Sequence, residues 1–243
     1  MRFLTLIYKT IFTRVGMKNA VHHIILGLFL VLVNSVGYSQ LFKGEVIVGM
    51  NKSQVDGDYQ FKFKKTGFEG GVGVVAPIYK NWSLSLETLY SQKGSKQKKL
   101  YEDSLDGSYL LKLNYVSVPF MVQYTDRDVV SAGVGISYNR LVFAEEYKDG
   151  YKVDSVSVLT NVFDRDDWQA FGDVRVRLYN NLILNARYSY SIDKIATRMM
   201  IDPENGKPQE RDFYNNLWTF RLIYMINEKR PDKNERKKKP KDE

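Results

Sequence analysis

From about residue 40 onward the chain alternates. Trp82, Leu84 and Leu86 interleave with Ser83, Ser85 and Glu87, and Val130, Ala132, Val134 and Ile136 interleave with Ser131, Gly133, Gly135 and Ser137. Trp168, Ala170, Val174, Val176 and Leu178 do the same with Asp167, Gln169, Asp173, Arg175 and Arg177. A strand points successive side chains to opposite faces, so each segment has one apolar face and one polar or small-residue face. A soluble sandwich shows that pattern too. A membrane barrel adds strands of about ten residues, aromatic strand ends and a strict alternation of short and long connections. All three are present.

The pattern predicts eight strands, at about 42–50, 68–78, 82–93, 111–124, 129–143, 167–179, 182–192 and 214–226. Three connections are tight and rich in Asn and Asp, which tolerate turn conformations: Tyr79-Lys80-Asn81, Thr125-Asp126-Arg127-Asp128 and Asn180-Asn181. The other four, about 51–67, 94–110, 144–166 and 193–213, are long. An even count closes without an edge. The expected fold is therefore all-β: an eight-stranded up-and-down antiparallel transmembrane β-barrel with short periplasmic turns, long outer loops and both termini in the periplasm. A soluble lipocalin-type barrel would need large apolar residues pointing inward, and the polar face is too consistently small or charged for that.

Even-numbered positions of strands three to eight carry Trp82, Tyr90, Phe120, Tyr124, Tyr138, Trp168, Tyr188, Tyr190, Trp218, Phe220 and Tyr224, which suit a lipid face with aromatic headgroup zones. The opposite face receives Glu45, Glu69, Glu87 and Asp173 against Arg175, Arg177, Arg187 and Arg221. An eight-stranded bore is just wide enough for side chains to fill. Four acids facing four bases should pair there, because an unpaired charge in a narrow dry lumen is costly. These residues are expected to be structural rather than a selectivity filter or a catalytic site.

The ends differ from the middle. Met17-Lys18 opens a short basic region, Ile24 to Val33 is an apolar core of about ten residues, and Gly37-Tyr38-Ser39 precedes a cleavage point before Gln40. That is a secretory signal, with Met17 as its natural start, and the apolar run is well short of the roughly 20 residues of a spanning helix. Residues 228–243 have no apolar side chain except two prolines and read as a disordered periplasmic tail. The domains are thus 1–39 signal, 40–227 barrel and 228–243 tail. The first carries +4 and the last +3, so of the chain's +8 only 8 − 4 − 3 = +1 belongs to the barrel. The basic balance is no nucleic-acid-binding face. Arg236, Lys237, Lys238 and Lys239 are the candidate tail contact for an acidic envelope partner.

Cysteine is absent, and the two histidines, His22 and His23, both lie in the signal. This removes His-based acid–base chemistry, Ser-His-Asp triads, thiol nucleophiles and ordinary zinc sites from the barrel. No enzyme activity, metal or cofactor is expected. In the second long connection Lys93, Lys96, Lys98 and Lys99 precede Tyr101, Glu102, Asp103 and Asp106. Lys96, Lys98 and Lys99 are the candidate loop contact for an anionic sugar or lipid headgroup.

Two stretches carry recognisable wording. Leu89-Tyr90-Ser91-Gln92-Lys93-Gly94-Ser95 ends the third strand, and Leu113-Asn114-Tyr115-Val116-Ser117-Val118-Pro119-Phe120 lies in the fourth. They resemble the PorT-like outer-membrane β-barrel family over nearly all of 40–227. Pro119, lacking an N–H, should mark a break or bulge, and Gly94 should open the loop. The resemblance implies a barrel in the outer membrane among its lipids. It leaves two roles open: an accessory of type IX protein secretion or envelope assembly, contacting that machinery, or a small structural or surface-binding barrel whose loops engage a ligand.

Overall fold

In the computed structural model, residues 42–58, 62–97, 107–202 and 206–226 are described, and they contain no helix. The expected signal and tail, with Arg236 to Lys239, lie outside the described residues, as do Lys98 and Lys99. The strands are β1 (Lys43–Asp56), β2 (Lys65–Tyr79), β3 (Trp82–Gln97), β4 (Tyr109–Asp126), β5 (Val130–Lys148), β6 (Tyr151–Lys152), β7 (Asp166–Tyr179), β8 (Leu182–Ser191), β9 (Ala196–Ile201) and β10 (Pro208–Ile226). Eight of them form an antiparallel sheet in the order β1-β2-β3-β4-β5-β7-β8-β10, and β1 pairs with β10 to close the ring. The short β6 and β9 pair with β5 and β10 beyond the ring. Closure leaves no unpaired strand edge to face lipid.

The first and last ring strands start and finish at the end that holds the tight turns. Lys80, Arg127, Asp128 and Asn180 adopt positive φ there. That backbone matches the right-handed twist of the flanking strands.

The strands are longer than the sequence pattern predicts. β4 has 18 residues and β5 and β10 have 19 each, where a bilayer needs about 9–11. The extra length is at the loop end. Apolar alternation marks only the part in contact with lipid, whereas hydrogen bonding continues into a polar wall that the pattern does not reveal. Gly94 accordingly lies inside β3 rather than opening a loop. Pro119 keeps its register opposite Ser137 on β5, but on its other side the β3–β4 ladder skips from Phe120 to Ser117, the local break expected of a residue without an N–H. The irregularity in β4–β5 falls elsewhere. Asn114 faces Phe143 and Tyr115 faces Leu141, so Val142 is an extra residue. Both Val142 and Phe143 then face outward, and the inward parity of β5 changes from odd (Asn139, Leu141) to even (Ala144, Glu146). A bulge re-aims side chains in this way.

The outer surface has the expected apolar band. Val46, Val72, Leu86, Phe120, Val134, Val174 and Leu222 are all exposed. Aromatic pairs frame it, with Trp82 against Tyr124 at the turn end and Tyr138 against Trp168 and Tyr188 against Trp218 towards the loop end.

Gly94 gives a direct test of the wall. Its φ is +127°, and a side chain there would collide with the Leu111 carbonyl of the neighbouring strand. Gly94→Ala should lower stability by roughly 1–3 kcal/mol, measured by urea unfolding from lipid vesicles. An unchanged midpoint would mean that β3 is not paired at this level.

Candidate functional site

The bore is filled in layers. One apolar cluster gathers Ile47, Val75, Leu89, Ile183, Ile223 and Met225 around the charged residues, with Ile47 and Leu89 two residues further from the turns than Glu45 and Glu87. At the loop end a second, larger one gathers Leu111, Leu113, Tyr115, Leu141 and Phe213 from the wall with Val156, Phe163 and Ile195 from the connections. Those connections are tied down by backbone bonds, from Leu141 N to Arg165 O, Asp164 N to Ile195 O and Ile195 N to Phe213 O. The third and fourth long connections therefore fold inward as an apolar plug. The sequence pattern treats them as free polar loops, although Val156, Val162 and Phe163 within 144–166 are a signal of burial.

Charge crosses the middle. Inward-facing positions on β1, β2, β3, β7, β8 and β10 bring Glu45, Glu69, Glu87, Asp173, Arg175, Arg187 and Arg221 together, each no more than 4% exposed. Glu87 accepts from all three arginines: Arg175 Nη2 at 2.8 Å, Arg187 Nη2 at 2.9 Å and Arg221 Nη1 at 2.8 Å. Asp173 also accepts from all three, at 3.0 Å from Arg175 Nε, 2.8 Å from Arg187 Nε and 3.0 Å from Arg221 Nη2. Asn185 completes the set, donating to Asp173 Oδ1 at 2.8 Å and accepting from Arg221 Nε at 2.6 Å. Glu45 pairs with Arg175 Nη1, and Glu69 lies 3.5 Å from Arg221 Nη1 while accepting from Ser91 Oγ.

Small residues make room for this network. A Cβ on Gly73 would come within 3.0 Å of Glu45 Oε2 and 3.2 Å of Glu87 Cγ. One on Gly135 would meet the ring of Phe171 at 2.6 Å, and that ring stacks under the Arg187 guanidinium at 4.1 Å.

Arg177 is a correction. It is half-buried at the turn end, where its Nε donates to Asp128 O and its Nη1 to Asn180 O, so it caps turn carbonyls. It stands two residues nearer the turn than Arg175. The central set is thus four acids with three arginines. Lys93 is the second correction. It is 2% exposed inside the bore, donating to Asn139 Oδ1 at 3.0 Å and Gln169 Oε1 at 3.1 Å and lying over the Tyr115 ring. The parity that turns Glu87 inward also turns Lys93 inward once β3 runs on past residue 93. Beside it Asp167 accepts from Gln169, Ser191 and Asn215. Lys96 alone of the three candidate loop lysines is described, exposed at the end of β3.

Chemically, the central carboxylates Glu45, Glu87 and Asp173 are engaged by fixed guanidinium groups. The void next to Lys93 and Arg187 is about 20 Å³, room for about one water. The larger space, about 740 Å³ at the turn end, is a vestibule lined by residues such as Lys43, Gln123, Arg175 and Arg177.

Residues 38–197 match the family described as outer membrane protein beta-barrel domain. Among solved structures the chain is similar to Ail of Yersinia pestis, at 14% identity and a TM-score of 0.45, covering 76% of this chain and 98% of that one. It is also similar to OprG of Pseudomonas aeruginosa, at 13% identity and a TM-score of 0.40 over 79% and 99%. A major outer membrane protein of Thermus thermophilus gives 14% identity and a TM-score of 0.42 over 78% and 100%. No curated protein matches.

Removing one member of the network strands its partners. Arg187→Met should destabilise the barrel by about 3–5 kcal/mol in vesicle unfolding, and wild-type protein in planar bilayers should show no large, steady conductance. Stability within about 0.5 kcal/mol of wild type, or a stable open channel, would contradict a filled and paired bore.

Proposed function

This chain belongs to the outer membrane protein beta-barrel domain family, and on that premise we propose that it is a non-enzymatic accessory of protein secretion or envelope assembly, as its PorT-like wording implies. The observation that supports this reading is the interior. Glu87 and Asp173 are each held by three arginines, and an apolar plug closes the loop end. A barrel that conducts or transports needs a path, and a barrel that catalyses needs an accessible reactive group. Here the bore is structural, so work falls to the rims and the lipid face. The termini and tight turns face the periplasm in this proposal, placing the vestibule and the basic tail where an envelope partner docks.

A second reading is a surface barrel whose loop end engages a ligand. The tall β3–β5 wall favours it, since 16, 18 and 19 residues lift a folded rim beyond the apolar band.

Photo-crosslinkers at Lys80 and Arg127 on the turn rim, and at Tyr151 and Leu159 on the loop rim, separate the readings in intact cells. The accessory role predicts reproducible adducts of secretion or assembly proteins from the turn rim. Adducts confined to the loop rim would overturn it in favour of the second reading. Recovery as a soluble periplasmic protein would overturn both.

A further inference from the structure

Where the wall rises past the aromatic belt, β2, β3, β4 and β5 share a cavity of about 510 Å³. Its charged lining is Lys64, Lys65, Lys96 and Lys112, interleaved with Thr66 and Gln92. Leu110 and Phe143 add apolar surface, Phe143 because the bulge at Val142 turns it outward. No carboxylate lines the cavity among the described residues.

Lys65 is the unusual member. It is only 7% exposed, and among the described residues no acid pairs with it. Burial pushes its ammonium group down to about 8, and the nearby Lys112 and Lys96 push it the same way. Lys112 is only weakly compensated. Its acid, Glu145, is 3.6 Å away and already holds Lys152 at 2.7 Å. Lys52 adds a further cation at the margin, donating to Thr66 Oγ1 at 2.7 Å. Gln92 Oε1 accepts from the Phe68 amide, which leaves its NH₂ group to donate. A buried cation among like charges is costly unless an anion joins it.

We propose that this cavity binds a phosphate monoester carried on a larger organic body, either a membrane lipid headgroup or a soluble phosphorylated molecule. Ammonium groups are compact donors well suited to phosphate oxygens. The volume lies in the roughly 300–1,000 Å³ range of sites that take organic ligands, so a bare ion would leave it mostly unfilled. Its level, just beyond the band of exposed apolar side chains, is where headgroup phosphates lie. The inference does not depend on the accessory role proposed above.

The test uses the full-length protein in phosphatidylcholine nanodiscs with a minor fraction of lipid A, a disaccharide lipid with two phosphate monoesters. Native mass spectrometry reads the retained lipid, and glucose 6-phosphate, titrated calorimetrically, serves as the soluble probe. We expect wild type to retain lipid A, and Lys65→Gln with Lys96→Gln to weaken retention by about thirtyfold, each lysine contributing about fivefold. Lys80→Gln with Arg127→Gln, which removes equal charge at the turn end, should leave retention unchanged. If glucose 6-phosphate binds as tightly as lipid A and is lost in the same double variant, the site stands with a soluble ligand. If the double variant loses its heat-modifiable fold, Lys96→Gln alone should still show about a fivefold loss. Equal retention in wild type and variants, binding of neither probe, or an equal loss in the turn-end control would overturn the proposal.

Discussion

The three guanidinium groups that cross the bore to Glu87 and Asp173 are the interaction on which the rest of the barrel depends. They come from β7, β8 and β10, while their acids come from β1, β2, β3 and β7, so several pairs, such as those of Glu87 on β3 with Arg175, Arg187 and Arg221, connect strands that share no ladder. The hydrogen bonds of the ring fix each strand to its two neighbours only. Cross-bore pairs fix the cross-section. In a site sealed from water, each charge needs its partner, because loss of one leaves the other desolvated.

The layers on either side follow from that seal. Towards the turns, Ile183, Ile223 and Met225 pack beside the charged belt. Towards the loops, a polar layer around Lys93 and Asp167 gives way to the plug of Val156, Phe163 and Phe213. The plug is built from connections that a small barrel does not need for closure. Its presence above a filled bore moves any recognition to the outside of the wall, which is where the cavity around Lys65 lies.

Much of this was legible in the sequence, for one reason: a strand repeats every two residues, so parity alone assigns a face. Parity placed Glu45, Glu87, Asp173, Arg175, Arg187 and Arg221 on one side and Trp82, Phe120 and Trp218 on the other, and the structure brings the first group together. Parity fails where its assumptions fail. Arg177 obeys it yet sits at the turn end, donating to the Asp128 and Asn180 carbonyls. Lys93 obeys it too, but only if the strand outlasts its apolar pattern. Beyond Leu141 the bulge reverses it, so Glu146 is buried while Phe143 is exposed. Cavities such as that around Lys65 arise from three or four strands meeting in register, which no local pattern encodes.

The central claim is that the cross-bore ion network is a coupled structural unit. A double-mutant cycle between Glu87→Gln on β3 and Arg221→Met on β10, read as unfolding free energy from lipid vesicles, tests it most directly. A coupling of about 2–3 kcal/mol is the predicted result, the upper range for residues in direct contact. Additivity within about 0.5 kcal/mol, as for distant independent sites, would contradict it.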